Sequence, residues 1–262
     1  MSHRDQPPGL QKPVPSVDVL VRTFNSARTL RDCLQSIRLR IPVHRLIVVD
    51  RNSTDATGSI VRQFGGEIHF EESGLGYATT RAIMLAETSE VLFVDSDVTI
   101  TRADFFPTAL RMLDQPRVGA VVGGAVGHPF LYGLPLGLTL FRRAWVAQVE
   151  IPPEIQGTET YFIRRALARQ RLGVAYVPDA MTHASPYRGR SWPEFQGANT
   201  RLSSGWSVRE LVFSLAVILL IHLNSRKARN FAYTPIFYLK FLRGFLRPDR
   251  WSKQDRRDPA LR

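Results

Sequence analysis

Residues 91–98, Val-Leu-Phe-Val-Asp-Ser-Asp-Val, place two acidic side chains directly after an apolar run. The run is long enough for a buried strand, which we expect to end at Asp95. Asp95 and Asp97, one residue apart, can converge beyond the sheet edge, where two carboxylates repel unless a cation lies between them. Mg²⁺ or Mn²⁺ held by one or two carboxylates and by substrate phosphates is a common arrangement for binding nucleotide substrates. The alternative is a strand that ends in a solvated polar turn.

Similar apolar runs recur along the first two thirds of the chain, and amphipathic segments separate them. We expect strands at 17–23, 46–50, 67–70, 90–95, 118–124 and 174–177. We expect helices after Ser26, near 54–64, up to Glu87, over 103–114 and over 158–171, whereas 136–149 fits either an irregular helix or a strand. Because the strands lack polar alternation, they are typical of a mostly parallel α/β sheet flanked by helices and buried on both faces. Ligands bind such sheets beyond the carboxyl ends of the strands, and Asp50 and Asp95 both lie there.

The charge of the 262-residue chain divides it into two unequal parts. The net charge is +12. Residues 1–187 contain 20 Lys and Arg against 18 Asp and Glu, while the remaining residues contain 15 against 5. We therefore expect a flexible leader at 1–15, an α/β domain at 16–187 and a basic C-terminal segment at 188–262. The leader lacks the apolar middle of a signal peptide, so we expect no export.

A single cysteine, Cys33, excludes intrachain disulfides and suits a reducing compartment. Cys33 falls in an apolar row of helical spacing with Leu30, Leu34 and Ile37, so we interpret it as a core residue.

The basic C-terminal segment alternates apolar and cationic residues. Residues 211–223 are almost wholly apolar, but these 13 residues fall short of the roughly 20 that a bilayer-spanning helix needs. Residues 231–246 are rich in aromatics and contain Lys240 and Arg243. This pattern predicts helices that lie at a membrane surface through residues 205–250. A buried helical appendage and a re-entrant hairpin are the alternatives, and no nucleic-acid partner is expected because the cations interleave with apolar stretches.

Six short segments occur in the order and spacing of a known family. They are Val-Arg-Thr-Phe-Asn (21–25), Val-Val-Asp-Arg-Asn-Ser-Thr-Asp (48–55), Gly-Leu-Gly-Tyr-Ala (74–78), Val-Asp-Ser-Asp-Val (94–98), Thr-Glu-Thr (158–160) and Val-Pro-Asp-Ala followed by His183. Together they resemble family-2 glycosyltransferases, which have the nucleotide-sugar-binding GT-A fold, across about two thirds of the chain. Each segment is weak by itself, and their order makes the resemblance specific.

The resemblance implies an inverting, metal-dependent enzyme that moves one sugar from a nucleotide-diphosphate sugar to an acceptor hydroxyl or phosphate. It implies Glu159 as the catalytic base, and Mg²⁺ or Mn²⁺ held by Asp97, with Asp95 and His183 close to the metal. It also implies nucleotide-sugar binding by Thr23, Phe24, Asn25, Asp50, Arg51, Arg81 and Asp95. Structural alternatives are a core Phe24, a helix-capping Asp50, a helix-start acid at Glu159 and a structural His183.

The chain departs from the family pattern at several positions. Arg22 replaces a common proline, Arg51 replaces an acidic residue that can read a uracil ring, and Thr160 follows Glu159 where a second acid is usual. The motif of processive synthases is missing, so we expect single-sugar transfer. The basic segment suggests a polyprenyl or other lipid-linked acceptor and a place at the cytoplasmic face of a membrane, peripheral or re-entrant. The rival interpretation is a non-catalytic membrane-surface binding protein that keeps the fold, and a nucleotidyltransferase is a weaker one.

Overall fold

A computed structural model describes residues 15–124, 134–153, 155, 157–184, 192–224 and 228–249. Residues 1–14 of the predicted leader lie outside this range. The strands are β1 (Val17–Thr23), β2 (Val43–Asp50), β3 (Glu67–Phe70), β4 (Glu90–Asp95), β5 (Val98–Ile100), β6 (Val118–Gly123), β7 (Leu138–Arg142), β8 (Gly173–Val177) and β9 (Met181–His183). The helices are α1 (Ala27–Arg40), α2 (Thr57–Gln63), α3 (Leu75–Leu85), α4 (Phe105–Leu113), α5 (Arg143–Val146), α6 (Glu159–Arg169), α7 (Trp192–Ser204), α8 (Val208–Asn224) and α9 (Ala228–Leu246).

Seven strands form the main sheet, in the order β3-β2-β1-β4-β7-β6-β8. β1, β2, β3 and β4 run parallel to one another, and β6 is parallel to β8. β7 is antiparallel to both of its neighbours, β4 and β6. A second sheet pairs β5 with β9 antiparallel. The predicted mostly parallel α/β sheet is therefore confirmed.

Apolar side chains cover both faces of the main sheet, which explains why its strands show no polar alternation. On one face, Val19, Val21 and Val48 pack with the α1 stripe that contains Cys33. On the other face, residues of the same strands, including Leu20, Ile47 and Val49, pack against α3. Alternate residues of β1 and β2 thus enter two separate cores, and both sets must be apolar.

Most predicted elements have the expected positions, and the differences have local causes. β1, β3 and β4 match the predicted spans. The ambiguous stretch 136–149 contains both structures, the strand β7 followed by the single-turn helix α5. β5 and β9 were not predicted, because three residues carry too little periodicity to identify a strand.

Three C-terminal helices pack beside the α/β domain. A small apolar cluster of Ile218, Phe241 and Phe245 joins α8 to α9. α7 and α9 cross so closely that a Cβ added to Gly197 would lie 1.9 Å from the carbonyl oxygen of Phe241, and one added to Gly244 would lie 1.9 Å from that of Glu194. Among the described residues, no helix has the length and apolar character needed to cross a bilayer.

We predict that Gly244→Ala destabilises the protein. Because the new methyl group meets backbone rather than a movable side chain, α7 and α9 must separate, at a cost of about 1–3 kcal/mol. Urea unfolding followed by circular dichroism measures this loss. Gly58→Ala is the matched control, since a Cβ there has no neighbour closer than 3.8 Å. Equal midpoints for the two variants would contradict the close crossing.

Candidate functional site

The parallel register of three strands brings the predicted site residues to one sheet edge. Thr23, the last residue of β1, pairs with Asp50, the last residue of β2. On the other side of β1, Arg22 pairs with Asp95, the last residue of β4. Three strands therefore end at the same level, as expected for a ligand site of a parallel sheet.

A small cleft opens beside these strand ends. Its walls are Arg22, Thr23, Phe24, Val49, Arg51, Glu71, Leu75 and Ala78. Thr23, Phe24 and Arg51 were predicted to bind the donor, whereas Arg22 and Glu71 were not. Glu71 is buried, and its Oε2 accepts a hydrogen bond of 2.7 Å from the Gly74 amide before α3. An acidic residue that directly follows a short strand was the sequence signal for Glu71.

Asp50 and Asn25, which were also predicted to bind the nucleotide-sugar donor, lie outside the cleft lining and support it. Asp50 is 2% exposed, and its oxygens accept hydrogen bonds from Thr23 Oγ1 at 2.5 Å and from the Ser53 amide at 2.7 Å. Asn25, in a left-handed conformation with φ 48°, accepts a 2.9 Å hydrogen bond from the Thr54 amide through Oδ1. Both side chains tie the loop after β1 to the loop after β2.

Arg81 lies on the exposed face of α3 and is not part of the cleft lining. Arg81 lies within the helix expected to extend up to Glu87, and its side chain is exposed to solvent.

Arg22 joins two carboxylates that come from distant parts of the chain. Its Nη1 donates to Glu159 Oε1 at 2.7 Å and to Thr79 Oγ1 at 3.0 Å, and its Nη2 donates to Asp95 Oδ1 at 2.8 Å. The guanidinium carbon lies 5.8 Å from the ring centroid of buried Phe93. The Arg22 and Glu159 side chains are 9% and 7% exposed, so this ion pair is shielded from water.

The pKa of Arg22 is set by opposing effects. Burial alone would lower this pKa, and the charges and hydrogen bonds of Glu159 and Asp95 raise it above the ordinary value. The guanidinium is therefore a permanent cation. Cys33 lies behind the site, where burial raises the pKa of its thiol and the nearby Asp95 and Asp97 raise it further. The thiol is thus protonated and inert, in agreement with its prediction as a core residue.

Helix α7 holds the residue that precedes Glu159. Thr158 has a left-handed backbone, φ 61° and ψ 20°. Its Oγ1 lies 2.6 Å from Ser203 Oγ and donates to the Asn199 carbonyl at 3.2 Å. Such a conformation is costly for a β-branched residue and persists where neighbours impose it. The C-terminal segment therefore positions the start of α6, which the sequence did not reveal.

The small sheet brings Asp97 and His183 together. Val98 pairs with His183 in the β5–β9 register, and His183 Nδ1 lies 3.5 Å from Asp97 Oδ1. Both side chains are partly exposed, at 30% for Asp97 and 40% for His183. The other predicted ligand, Asp95, is directed toward Arg22.

These residues fit a divalent cation that takes some of its ligands from the protein and the others from a bound substrate. The described residues contain no group of three or more His, Cys, Asp or Glu that could hold a metal ion by themselves. Mg²⁺ in nucleotide sites keeps several waters and takes one or two carboxylates together with phosphate oxygens, so such a group is not required. Asp97 supplies a carboxylate, the ligand type that suits Mg²⁺ and Mn²⁺, and the His183 imidazole lies beside it as a further nitrogen donor.

We predict that Asp50→Ala unfolds at lower denaturant concentration than the wild type. The change leaves the buried Thr23 hydroxyl and the partly buried Ser53 amide without their acceptor, and the buried unsatisfied group alone costs about 1–3 kcal/mol. Urea midpoints measure the loss. Asp32→Ala, an exposed carboxylate on α1, is the control and should leave the midpoint unchanged. A similar midpoint for both variants would show that Asp50 is dispensable for the two loops.

Known proteins provide a family for this chain. The sequence model of glycosyl transferase family 2 matches residues 18–148. The putative glycosyltransferase EpsH of Bacillus subtilis is 31% identical over 90 residues, 32% of this chain and 26% of the relative. The probable glycosyltransferase YdaM of the same organism is 31% identical over 125 residues, 43% of this chain and 30% of the relative. The chain thus matches less than a third of either relative's length.

Solved structures match the fold over a larger part of this chain than the two relatives match its sequence. The mannosyltransferase PcManGT from Pyrobaculum calidifontis, solved with GDP-Man and Mn²⁺, superposes with a TM-score of 0.66 at 17% identity over 93% of this chain and 89% of its own. Glucosyl-3-phosphoglycerate synthase from Mycobacterium tuberculosis, solved with Mn²⁺ and UDP, gives 0.53 at 20% identity over 70% and 80%. These likenesses confirm the predicted GT-A-type fold. The match of the family model to residues 18–148 shows that the chain belongs to glycosyl transferase family 2.

Proposed function

We propose that this protein transfers a single sugar, with inversion, from a nucleotide-diphosphate sugar to an acceptor hydroxyl or phosphate. The observation that carries this proposal is the meeting of Asp95, Arg22 and Glu159 beside a cleft at the carboxyl ends of β1, β2 and β4. Similar folds solved with GDP-Man or UDP and with Mn²⁺ support the donor class.

The cleft suits the nucleotide half of such a donor. Phe24 offers an apolar surface to base or ribose, and Arg51 adds positive charge to the wall. Asp97 and His183 are the residues that would hold Mg²⁺ or Mn²⁺ beside the diphosphate. When bound there, the cation neutralises charge on the leaving diphosphate.

Glu159 is the residue proposed to accept a proton from the acceptor. In this step the acceptor oxygen forms a bond to the anomeric carbon from the face opposite the diphosphate, and the bond from that carbon to the diphosphate oxygen breaks. A hydroxyl acceptor gives its proton to Glu159, and the nucleoside diphosphate departs with the bonding electrons. An ionised phosphate acceptor needs no base. One displacement inverts the anomeric configuration.

Exposed apolar stripes on α8 and α9 support a place at a membrane surface. Val208, Val212 and Ala216 recur every four residues on α8 and are exposed. Ile236, Leu239 and Leu246 form a comparable exposed row on α9, and Arg243 lies between the last two. Apolar side chains that face outward beside cations match a surface in contact with anionic lipid.

A membrane location makes a lipid-linked acceptor, such as a polyprenyl phosphate, the favoured partner. The negative charge of the cytoplasmic leaflet attracts the basic segment, so we place the protein on that face, peripheral or re-entrant. Because α7 contacts Thr158 beside Glu159, the same segment lies next to the proposed acceptor side of the site.

A non-catalytic binding protein is the second candidate, and the ion pairs of Arg22 favour it. Arg22 engages both Glu159 and Asp95, the carboxylates that catalysis would use. A protein that bound sugar nucleotides without turning them over would agree with this arrangement. Transfer activity separates the two candidates.

We expect donor binding and transfer to depend on Asp97. A thermal-shift panel of nucleoside diphosphates with and without Mn²⁺ should identify a ligand that raises the unfolding temperature more with Mn²⁺. With that ligand's sugar donor, Asp97→Ala should lower kcat/KM at least about 100-fold, because the assistance of the cation is lost. Asp114→Ala, an exposed carboxylate at the end of α4, should leave it unchanged. Full transfer by Asp97→Ala or after exhaustive chelation would refute the metal role, and binding without transfer would favour the second candidate.

We expect the exposed stripes to control vesicle binding. Val212→Glu combined with Leu239→Glu should lower the affinity for phosphatidylglycerol vesicles, measured by co-sedimentation, by about tenfold or more. The reason is that two apolar side chains can no longer enter the interface. Val212 and Leu239 are 62% and 66% exposed, so the substitutions leave the core intact. Leu39→Glu, on α1 and 70% exposed, is the control. Equal loss in both variants, or wild-type protein that ignores anionic vesicles, would contradict this membrane surface.

A further inference from the structure

Resting on the proposed transfer reaction, we infer that Arg22 is a positioning residue that sets the place of Glu159 relative to Asp95. Its guanidinium occupies the space between the two carboxylates, with Nη–O distances of 2.7 and 2.8 Å. Arg22 stands 137 residues from Glu159 and 73 from Asp95 in the sequence, so this bridge connects remote segments.

The bridge fastens the first turn of α6 to the main sheet. Glu159 is the first residue of α6, whereas Arg22 and Asp95 belong to the paired strands β1 and β4. Thr79 Oγ1 adds a contact from α3 by accepting from the same Nη1, and it is itself anchored by donating to the Leu75 carbonyl at 2.7 Å. The Arg22 guanidinium therefore has partners on three elements besides its own.

Only an arginine side chain can make this set of contacts. The planar guanidinium presents two nitrogens in a rigid fork, and each nitrogen reaches a different carboxylate. A lysine has one ammonium on a flexible stem, so it can hold one carboxylate well but not fix the direction of both.

Charge gives Arg22 a second effect on the same geometry. Without its cation, the buried Glu159 carboxylate would face the Asp95 carboxylate with no positive charge between them, and the two would repel. Buried ion pairs that lose one partner leave an uncompensated charge, which drives rearrangement. The start of α6 would then move away from β4, and Glu159 with it.

Because Arg22 lines the cleft, it could instead bind the donor directly, and steady-state kinetics distinguish this role from positioning. Direct binding of the donor diphosphate by Arg22 would raise the donor KM when the side chain is removed. A positioning role instead lowers kcat and leaves the donor KM near its wild-type value, since Glu159 acts on the acceptor. A displacement of about 1 Å in a reacting group costs about 100-fold in rate.

A double-mutant cycle between Arg22→Met and Glu159→Gln tests the inference, with steady-state kinetics on the donor found by the nucleotide panel. We expect Arg22→Met to lower kcat about 100-fold at unchanged donor KM. In the Glu159→Gln background, the same change should lower kcat less than about twofold, because the residue through which Arg22 acts is already disabled. Arg22→Lys should recover part of the lost kcat. Arg111→Met, an exposed arginine on α4, is the control for loss of charge and should match the wild type.

Each outcome of the cycle either supports or overturns the positioning role of Arg22. An increase in donor KM with kcat unchanged, or additive effects of the two substitutions, would overturn the positioning role while leaving the transfer function intact. A wild-type protein without transfer would overturn the proposed function, and this inference with it. If circular dichroism shows that Arg22→Met is unfolded, the cycle uses Arg22→Lys, for which additive effects are equally decisive.

Discussion

The parallel pairing of β1 with β2 and β4 is the constraint on which the whole site depends. Its register sets Thr23 opposite Asp50 and Arg22 opposite Asp95, so that three strand ends meet at one edge. A shift of one residue would send these side chains to the opposite face, into an apolar core. The register is secured because both faces of the strands are packed, with Val21 and Val48 on one side and Leu20 and Ile47 on the other.

The apolar core holds the strands, and polar side chains hold the loops and charged groups at the strand ends. Asp50 is buried and satisfied by Thr23 and Ser53, which ties two loops that the sheet alone would leave independent. Arg22 does the same for charge by compensating Glu159, where both side chains are largely shielded from water. We expect such buried groups to contribute more to a unique geometry than to net stability, and the proposed transfer between two substrates requires a unique geometry.

The C-terminal helices belong to this geometry as well as to the proposed membrane surface. α7 contacts Thr158 through Ser203 and Asn199, and it packs against α9 at the Gly197 and Gly244 crossing. The helix that imposes the left-handed conformation at Thr158 is therefore supported by the helix with the outward Leu239 stripe. The proposed lipid-facing surface and the proposed proton acceptor therefore lie within one packed unit.

The sequence by itself determined six of the seven strands of the main sheet and the acidic residues Asp50 and Asp95 that end two of them. Runs such as 17–23 and 90–95 carry that information locally, because an apolar segment of strand length between polar turns has few other folds. Only the tertiary structure decided the directions of the side chains. Arg22 departs from the family motif in the sequence, and only the fold shows that residues from β4 and α6 surround it. Arg81 was predicted to bind the donor, and only the fold shows that its side chain is exposed on α3. These outcomes depend on contacts between residues tens of positions apart, and no local pattern encodes them.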